Sequence, residues 1–395
     1  MVDTKETKPL GSQRHLFDIP RSISYFNGAY MAPLLKCARR AGQDGVTRKS
    51  APWCVQSSDF FEDSEIVRSL FAQIIAAKPD DVAIIPSVSY GMELAASNLR
   101  VKPGQRILVL AGQFPSNVYP WQRKAKESQA RLDTINRKDG ESWTDAIVRA
   151  LDAQVAIVAI SEVHEIDGSL VDLARVSLAC KAVKAALVLD LTHSVGVRSV
   201  DLRSIDADAV VVSGYTWLLG PHGQAYVVVP ERHHTWRPIE CHWMARQGSE
   251  DFVRLATYSD VYRVGARRFD YGGLANFILM PMAREALSQI LAWGPERIER
   301  AIAPRGHMVR TILADAGLRV ESSATSASHL IGARGAGDAS SLCEHLASKQ
   351  IFTSVIGDVL RVSVYLNNDN EDISRLGQAL HAKQVGCVKS SQRVA

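Results

Sequence analysis

The chain has 395 residues, 46% hydrophobic and 22% charged, with a formal net charge of +4, which is ordinary for a globular protein of one large and one smaller domain. The charge is small and the basic residues are scattered, so nucleic-acid binding is not predicted. No apolar run is long enough to cross a bilayer, so no membrane association is predicted either.

The six cysteines form no CxxC pair, which suggests neither a zinc knuckle nor a disulfide framework. The N-terminus, MVDTKETKPLGSQRHLFD, is polar and lacks the apolar core of a signal peptide. We therefore expect reduced thiols and a cytoplasmic location.

Helical and strand patterns alternate from about residue 60. Helices are predicted at 61–78, at 90–99 and in NVYPWQRKAKES, and strands at VAII (82–85), ILVL (107–110), VAIVAI (155–160), ALVLD (186–190), AVVVS (209–213) and AYVVV (225–229). Continuous Val, Ile and Leu runs indicate strands covered on both faces. The sequence therefore predicts a three-layer α/β domain with a mostly parallel sheet.

The pattern changes after about residue 275. Helices are predicted at 282–293 and 296–317, followed by short strands at 328–334 and 359–366 and by helices in SSLCEHLASKQ and EDISRLGQALHAK. We therefore predict an N-terminal segment (1–20), a large domain (21–275) and a small C-terminal α/β domain (276–395).

Polar clusters follow the strands of the large domain. They are Ser87-Val88-Ser89, Gln113-Phe114, Ser161–Glu165, Asp190–His193 and Ser213–Thr216. Ligands of open parallel sheets bind at the carboxyl ends of the strands. Because five such clusters would meet at one edge, the sequence predicts a site there.

These segments, in this order, resemble the class V aminotransferase group of fold-type I pyridoxal-phosphate (PLP) enzymes. That group includes kynureninase, isopenicillin N epimerase-like proteins and cysteine desulfurases. The resemblance extends from YFNGAYMAPL (25–34) to LRVSVYLNNDNEDISRLGQAL (360–380). It implies a PLP site, an amino-acid-type substrate and the fold described above.

The resemblance also assigns residues to the cofactor ring. In VLDLTHSVG (188–196), Asp190 would pair with the protonated pyridine nitrogen, and His193 would hydrogen-bond the phenolic oxygen. In QFPSNVYPW (113–121), Phe114 would stack on the ring, as in the kynureninase-like pattern. A core phenylalanine and a helix-capping aspartate are the structural alternatives.

Further residues would hold the phosphate and the substrate. Val88 and Ser89 open a helix that suits a phosphate, which Ser213 and Tyr215 would also reach. Asn27 would line the substrate pocket, and Arg361 would bind a substrate carboxylate. The resemblance implies a homodimer in which the DYGGLANF loop, with Gly273 and Asn276, reaches the neighbour's phosphate.

One position departs from the family pattern. Relatives read S-G-[HY]-K-W, with a lysine that links covalently to PLP, whereas this chain has Thr216 there and no lysine between Lys184 and Lys349. Threonine cannot form an imine and is a poor base. We therefore expect noncovalently held PLP or its pyridoxamine form, with His193, Tyr215 or His222 as the base, because histidines titrate near neutral pH.

Two alternatives to this reading remain. The fold could serve a PLP-independent enzyme or a non-catalytic binding partner, or Thr216 could be a substitution introduced into an ordinary PLP enzyme. The fold does not choose among transamination, elimination, epimerisation and decarboxylation. Cys343 is predicted to lie on a helix and matches poorly the loop cysteine of desulfurases, which disfavours desulfuration.

The segment RHHTWRPIECHWMAR (232–246) contains three histidines and a cysteine, residue types that suit zinc. Their spacings match no common zinc site, so no metal site is predicted. We expect instead a loop that lines the mouth of the substrate site, with Trp236 and Trp243 packed in it.

Overall fold

A computed structural model describes residues 10–335 and 337–391, so the first nine residues of the predicted N-terminal segment lie outside it. In chain order the strands are β1 Ser24–Tyr25, β2 Val82–Ile85, β3 Arg106–Leu110, β4 Arg131–Ile135, β5 Val155–Ser161, β6 Ala186–Asp190, β7 Ala209–Ser213, β8 Ala225–Val228, β9 Arg319–Val320, β10 Leu330–Arg334, β11 Ile351–Phe352, β12 Ser354–Ile356 and β13 Val359–Ser363. The α-helices are α1 Lys36–Lys49, α2 Glu62–Ile74, α3 Val88–Asn98, α4 Tyr119–Glu127, α5 Trp143–Ala150, α6 Leu173–Val183, α7 Leu279–Trp293, α8 Pro295–Asp315, α9 Ala339–Ser348 and α10 Asn370–Ser391.

The main sheet has seven strands in the order β2-β8-β7-β6-β5-β3-β4. All neighbours are parallel except β8, which runs antiparallel to both β2 and β7. Strands β2, β7 and β8 are buried at every residue, because helices and loops cover both faces. The predicted mostly parallel α/β architecture is confirmed.

Two helix predictions illustrate how local backbone sets the ends. The predicted helix 61–78 ends earlier, at Ile74, and Ala76 adopts a left-handed φ of 55° that a helix cannot continue through. Helix α8 instead runs through Pro304, as the pattern over 296–317 predicts.

The C-terminal part contains a four-stranded sheet in the order β12-β13-β10-β9. Strand β1, which the sequence places in the large domain, pairs with β11 of this part, with Ser24 opposite Ile351. The ion pair from Arg14 to Asp372 (2.7 Å) attaches the preceding residues to the start of α10. The predicted domain boundaries stay predictions, and the N-terminal residues pack against the C-terminal part.

The register of the main sheet aligns the strand ends that carry polar residues. Ser161 at the end of β5 lies opposite Asp190 at the end of β6, and the Leu191 amide donates to the Val211 carbonyl of β7 (2.9 Å). These ends therefore form one continuous edge. Within the described residues, no helix combines the length and apolarity that crossing a membrane would require.

Candidate functional site

A cavity of about 420 Å³ lies at the carboxyl ends of β5, β6 and β7, between the start of α3 and strands β12 and β13. We call it the strand-end cavity. Its wall includes Phe114, Glu165, Asp190, Ser213, Thr216 and Arg361. Residues from all the predicted strand-end clusters thus come together at one place.

Asp190 lies at the floor of this cavity. Its Oδ1 atom accepts a hydrogen bond from the Thr192 amide (3.0 Å), and the side chain is buried. Burial raises the pKa of Asp190, while the Thr192 hydrogen bond opposes that rise. The Thr192 hydroxyl in turn accepts from the Ser213 amide (3.1 Å), which ties the ends of β6 and β7 together.

His193 also lines the cavity, but the structure restricts its chemistry. Its Nδ1 atom accepts from the indole N–H of Trp217 (3.0 Å), so the proton of the neutral ring lies on Nε2. Burial, reinforced by the positive charge of Arg361, lowers the pKa of His193 well below 6.5. Burial therefore favours the neutral ring, contrary to the expectation that His193 titrates near neutrality, and its role as the base stays a prediction.

The segment after β7 is a tight loop that carries Ser213, Tyr215 and Thr216 into the cavity wall. The Gly214 amide donates to the Gln224 carbonyl (2.9 Å), and a Cβ atom at Gly214 would lie only 2.7 Å from that oxygen. Glycine is therefore required at this close approach. Thr216 is buried, and its hydroxyl makes only a long hydrogen bond to the Thr192 carbonyl (3.4 Å).

Two further predicted side chains flank this loop. The rings of Tyr215 and His222 lie 4.5 Å apart between centroids, and both residues line the cavity. Phe114, at the end of the turn after β3, also lines it and is 51% exposed. So large an exposed aromatic surface inside a concave site is available to a flat ligand.

Helix α3 points its N-terminus at the opposite end of the cavity. The Ser87 hydroxyl caps the helix by accepting from the Tyr90 amide (3.2 Å), and Ser87 and Val88 line the cavity. The remaining first-turn amides of a helix have no partner within it, and they favour an anion. Ser89 is exposed and lies outside the lining, with its hydroxyl 2.9 Å from that of Ser87.

Arg361 enters from β13. Its guanidinium donates to the Glu165 carbonyl (3.2 Å) and the Ser354 hydroxyl (3.2 Å), which are both uncharged acceptors. The residue is buried, and among the described residues no carboxylate lies within 4 Å of it. Burial lowers the pKa of Arg361, yet a guanidinium keeps its charge in proteins. The site therefore contains a buried cation that lacks an anionic partner.

Several buried polar atoms of the wall also lack a partner in the part of the chain that the structure describes. They belong to Ser161 (Oγ), Glu165 (Oε1), Ser213 (Oγ) and Gln224 (Oε1). Sequence reasoning included Ser161 and Glu165 in a strand-end cluster without assigning either a role, and it missed Gln224. Gln224 precedes a strand, so the strand-end rule could not have indicated it.

Some predicted residues lie elsewhere. Asn27 is not among the lining residues, although Ala29, Tyr30 and Met31 are. Gly273 and Asn276 also lie outside, and the Asn276 side chain caps α7 by accepting from the Leu279 amide (2.9 Å). Their role toward a second subunit stays a prediction.

The 232–246 segment differs from its prediction. None of its residues lines the strand-end cavity, so the expected loop at the mouth of the site is not found there. Trp236 is buried and stacks on His233 (4.5 Å between centroids), while His233 contacts Asp208 (2.6 Å). This packing explains His233 as a structural contact of the main domain.

Residues 54–242, which carry the polar strand ends of the main sheet, match the family model described as "Aminotransferase class-V". Over these residues the chain is similar to the class V aminotransferase family. A relative over nearly the full length is the uncharacterized aminotransferase YcbU of Bacillus subtilis (strain 168), 25% identical over 94% of this chain and 97% of its own length. Kynureninase of Bacillus anthracis is 24% identical over a matched region that covers 59% of this chain and 56% of the kynureninase.

Solved structures show the same fold. The apo cysteine desulfurase from Thermococcus onnurineus NA1 has a TM-score of 0.81 at 18% identity, over 94% of this chain and 97% of its own. A lysine-to-alanine mutant of C-DES, with glycine linked covalently to its PLP cofactor, has a TM-score of 0.83 at 17% identity, over 93% of this chain and 98% of its own. At these identities the likeness establishes the architecture of a fold-type I PLP enzyme and not its reaction.

Proposed function

We propose that this class V aminotransferase-like protein binds PLP, or its pyridoxamine form, noncovalently in the strand-end cavity and acts there on an amino acid or amine. The observation that carries the proposal is a set of four buried polar atoms, from Ser161, Glu165, Ser213 and Gln224, that belong to the wall of this cavity and have no partner among the described residues. Buried polar groups without partners cost free energy and are rare in native proteins. A polar ligand would satisfy them.

The residues present fit the parts of this cofactor. Asp190 would hold the pyridine nitrogen, and Phe114 would contact the ring face. Ser213 and the N-terminus of α3 would hold the phosphate, since unpaired hydroxyl and amide groups suit a dianion. When bound, PLP supplies an electron sink that stabilises negative charge on a substrate carbon.

The protein's own residues would set the orientation of a substrate. Arg361 has no described anionic partner, so a substrate carboxylate would complete its hydrogen bonding. His193 would present its Nε2 proton to an acceptor in the cavity, because Trp217 fixes its tautomer. The exposed Tyr30 and Met31 lie at the mouth, where they would limit the entry of water.

Thr216 sets the noncovalent character of the proposed complex. None of the described lining residues is a lysine, so no lysine amine is available for a covalent link. The C-DES mutant supports the idea that this fold tolerates such a change, since glycine is linked to PLP in a protein from which one lysine was removed. Binding here would then depend on charge, stacking and hydrogen bonds.

The test is titration of the purified protein with PLP, followed by calorimetry and absorbance, alone and with candidate amino acids. We expect saturable binding at one site per chain and a spectral change when an accepted amino acid is added. Absence of both would refute the proposal and favour a PLP-independent enzyme or a binding partner on the same fold.

A variant sharpens this test. Thr216→Lys should yield a covalent PLP adduct that survives denaturation after borohydride reduction, because the new amine would lie in the cavity wall. Thr311→Lys, on the exposed surface of α8, is the matched control and should give only the background labelling of surface lysines. Equal labelling of the two folded variants would show that the cavity does not accept PLP.

Desulfuration is not part of the proposal. Cys343 lies on α9, its Sγ atom is 3.4 Å from the Thr353 hydroxyl, and it does not line the strand-end cavity. No cysteine is found among the described lining residues. The cavity therefore lacks the nucleophile that would accept a sulfur atom.

We also propose that the chain is a homodimer in the cytoplasm. Large apolar side chains stay exposed in the single chain, among them Val253 (94%), Tyr258 (93%) and Trp53 (82%), and a second copy would cover such surface. Light scattering after size exclusion should give about twice the chain mass of 43.3 kDa. A mass equal to one chain at micromolar concentration would contradict the dimer.

A further inference from the structure

We propose that Glu165 is the proton-bearing acid–base residue of the strand-end cavity and that Asp190 beside it carries the negative charge. Glu165 is only 4% exposed, and its Oε1 atom has no hydrogen-bond partner among the described residues. It lines the same wall as Asp190 and Arg361. The inference deepens the proposed function, because the cavity is where the ligand would bind.

The backbone holds this carboxyl group in place. Glu165 lies in the turn after β5, which is closed by the Gly168 amide donating to the His164 carbonyl (2.8 Å). The turn packs so tightly on β10 that a Cβ atom at Gly332 would lie 2.5 Å from the Ile166 carbonyl oxygen. Arg361 binds the Glu165 carbonyl from the other side (3.2 Å). The backbone that carries Glu165 is therefore held from both sides.

The charges around Glu165 decide which carboxyl group keeps a proton. Burial and the negative charges of Asp190 and Asp167 raise the pKa of Glu165 well above 4.5, although the charge of Arg361 and a backbone hydrogen bond at Glu165 itself oppose this rise. Burial raises the pKa of Asp190 as well, but the hydrogen bond from the Thr192 amide opposes that rise and stabilises the charged form. Asp167 is ionised, because the hydrogen bond from His164 and those from Ser169 outweigh its burial and lower its pKa. Two neighbouring carboxyls in one dry site share their protons unequally, and the pattern here leaves the proton on Glu165.

A neutral Glu165 also explains why the Arg361 guanidinium has no anionic partner among the described residues. An ionised Glu165 would compete for that guanidinium, whereas the neutral acid leaves it to bind an incoming carboxylate. The Glu165 proton can pass from its carboxyl oxygen to a basic atom of a bound ligand. The carboxylate that remains then faces the positive charge of Arg361, which makes the transfer reversible.

The first experiment concerns the protein without ligand, so it does not depend on PLP binding. Glutamate carbon-13 labelled at the δ-carbon is titrated by NMR between about pH 3 and pH 9. We expect a resonance that stays in the protonated position far above the ordinary range, that disappears in Glu165→Gln and that persists in Glu162→Gln. The second variant is needed because burial also raises the pKa of Glu162, outside this cavity.

Titration of the Glu165 resonance within about one pH unit of 4.5 would overturn the inference, as would persistence of the high-pH resonance in Glu165→Gln. Glutamine has the shape of the neutral acid, and Oε1 has no partner to lose, so this variant should fold.

The second experiment tests the role toward a ligand. PLP binding is measured by calorimetry at about pH 7 in buffers of different ionisation enthalpy, which reports the protons released or taken up. Wild type and Glu165→Gln should differ in this number by a measurable fraction of a proton. PLP binding with the same proton count in both would overturn the role as proton source. No PLP binding would refute the proposed function and leave the ligand-free titration to decide the protonation of Glu165.

Discussion

The protonation of Glu165 has a consequence for stability that needs no ligand. Its pKa is raised in the folded protein and ordinary, near 4.5, in the unfolded chain. Between these two values the folded protein keeps a proton that the unfolded chain releases, so wild-type stability falls as pH rises. Glu165→Gln removes this dependence. The variant should therefore become more stable than wild type above about pH 5, increasingly so until the folded pKa is reached.

The size of the effect follows from linkage. One proton corresponds to about 1.4 kcal/mol per pH unit, so the stability difference between Glu165→Gln and wild type should grow by up to that amount for each pH unit between the unfolded and the folded pKa of Glu165. Urea unfolding followed by tryptophan fluorescence and circular dichroism at several pH values measures it, since all other groups titrate alike in both proteins. The cost of a buried unpartnered carboxyl is the physical origin of the difference.

Glu141→Gln is the matched control. Glu141 is partly exposed, and its hydrogen bonds with Arg149 lower its pKa to about 2. Its folded and unfolded values both lie below pH 5, so this variant should differ from wild type by a constant amount from pH 5 to pH 8. A constant difference for Glu165→Gln over that window would refute the assignment of the proton to Glu165.

Three further predictions concern two contacts of the cavity wall and one buried ion pair outside it. Arg361→Met should weaken the binding of an amino acid by roughly 10- to 150-fold, or about 1.5–3 kcal/mol, more than it weakens the binding of the matching amine that has no carboxylate. Competition calorimetry with PLP present measures both affinities. An equal loss of affinity for the two ligands would contradict a carboxylate site. Trp217→Phe removes the donor to Nδ1 of His193, so nitrogen-15 shifts of labelled histidine should show both tautomers, whereas an unchanged single tautomer would argue against that hydrogen bond. Arg68→Met should lower the free energy of unfolding in urea by about 3–5 kcal/mol, because it leaves the buried Asp270 carboxylate without the guanidinium that lies 2.7 Å from it. A decrease of less than about 1 kcal/mol would disagree with this reasoning.

The sequence was sufficient where one local rule determines the outcome. Runs of buried β-branched residues predict β6 and β7 with the bounds that the structure has, at 186–190 and 209–213. No strand is predicted at β4, Arg131–Ile135, because its residues are mostly half-buried or exposed at the sheet edge and show no apolar run. Strand β1 has two residues and depends on a partner more than 300 positions away, which no local pattern records.

The same distinction holds for the site. Asp190, Ser213 and Thr216 follow strands, and the rule for parallel sheets correctly brings them to one cavity. The neutral state of His193 could not be predicted, because it depends on burial and on the donor of Trp217, 24 positions away. In the sequence, Glu165 looks like any polar residue of a turn. Only the structure shows that Arg361, 196 positions later, binds its carbonyl.

Thr216 and Glu165 are connected through charge, and this leads to a last prediction. Arg361 is the only arginine or lysine among the described residues that line the cavity. Its single positive charge is not enough to keep both Glu165 and Asp190 ionised. Thr216→Lys would add a second cation to that wall. An opposite charge within about 4–6 Å lowers a carboxyl pKa by about 1–3 units, so Glu165 should release its proton at lower pH in this variant.

The carbon-13 titration measures this shift directly in ligand-free Thr216→Lys, with Thr311→Lys as the control that adds the same charge on the surface. The midpoint of the Glu165 resonance should fall in the first variant and stay in place in the second. A midpoint that is unchanged in folded Thr216→Lys would mean that the two side chains do not share one electrostatic environment. In that case threonine at position 216 would not be the reason that Glu165 stays neutral.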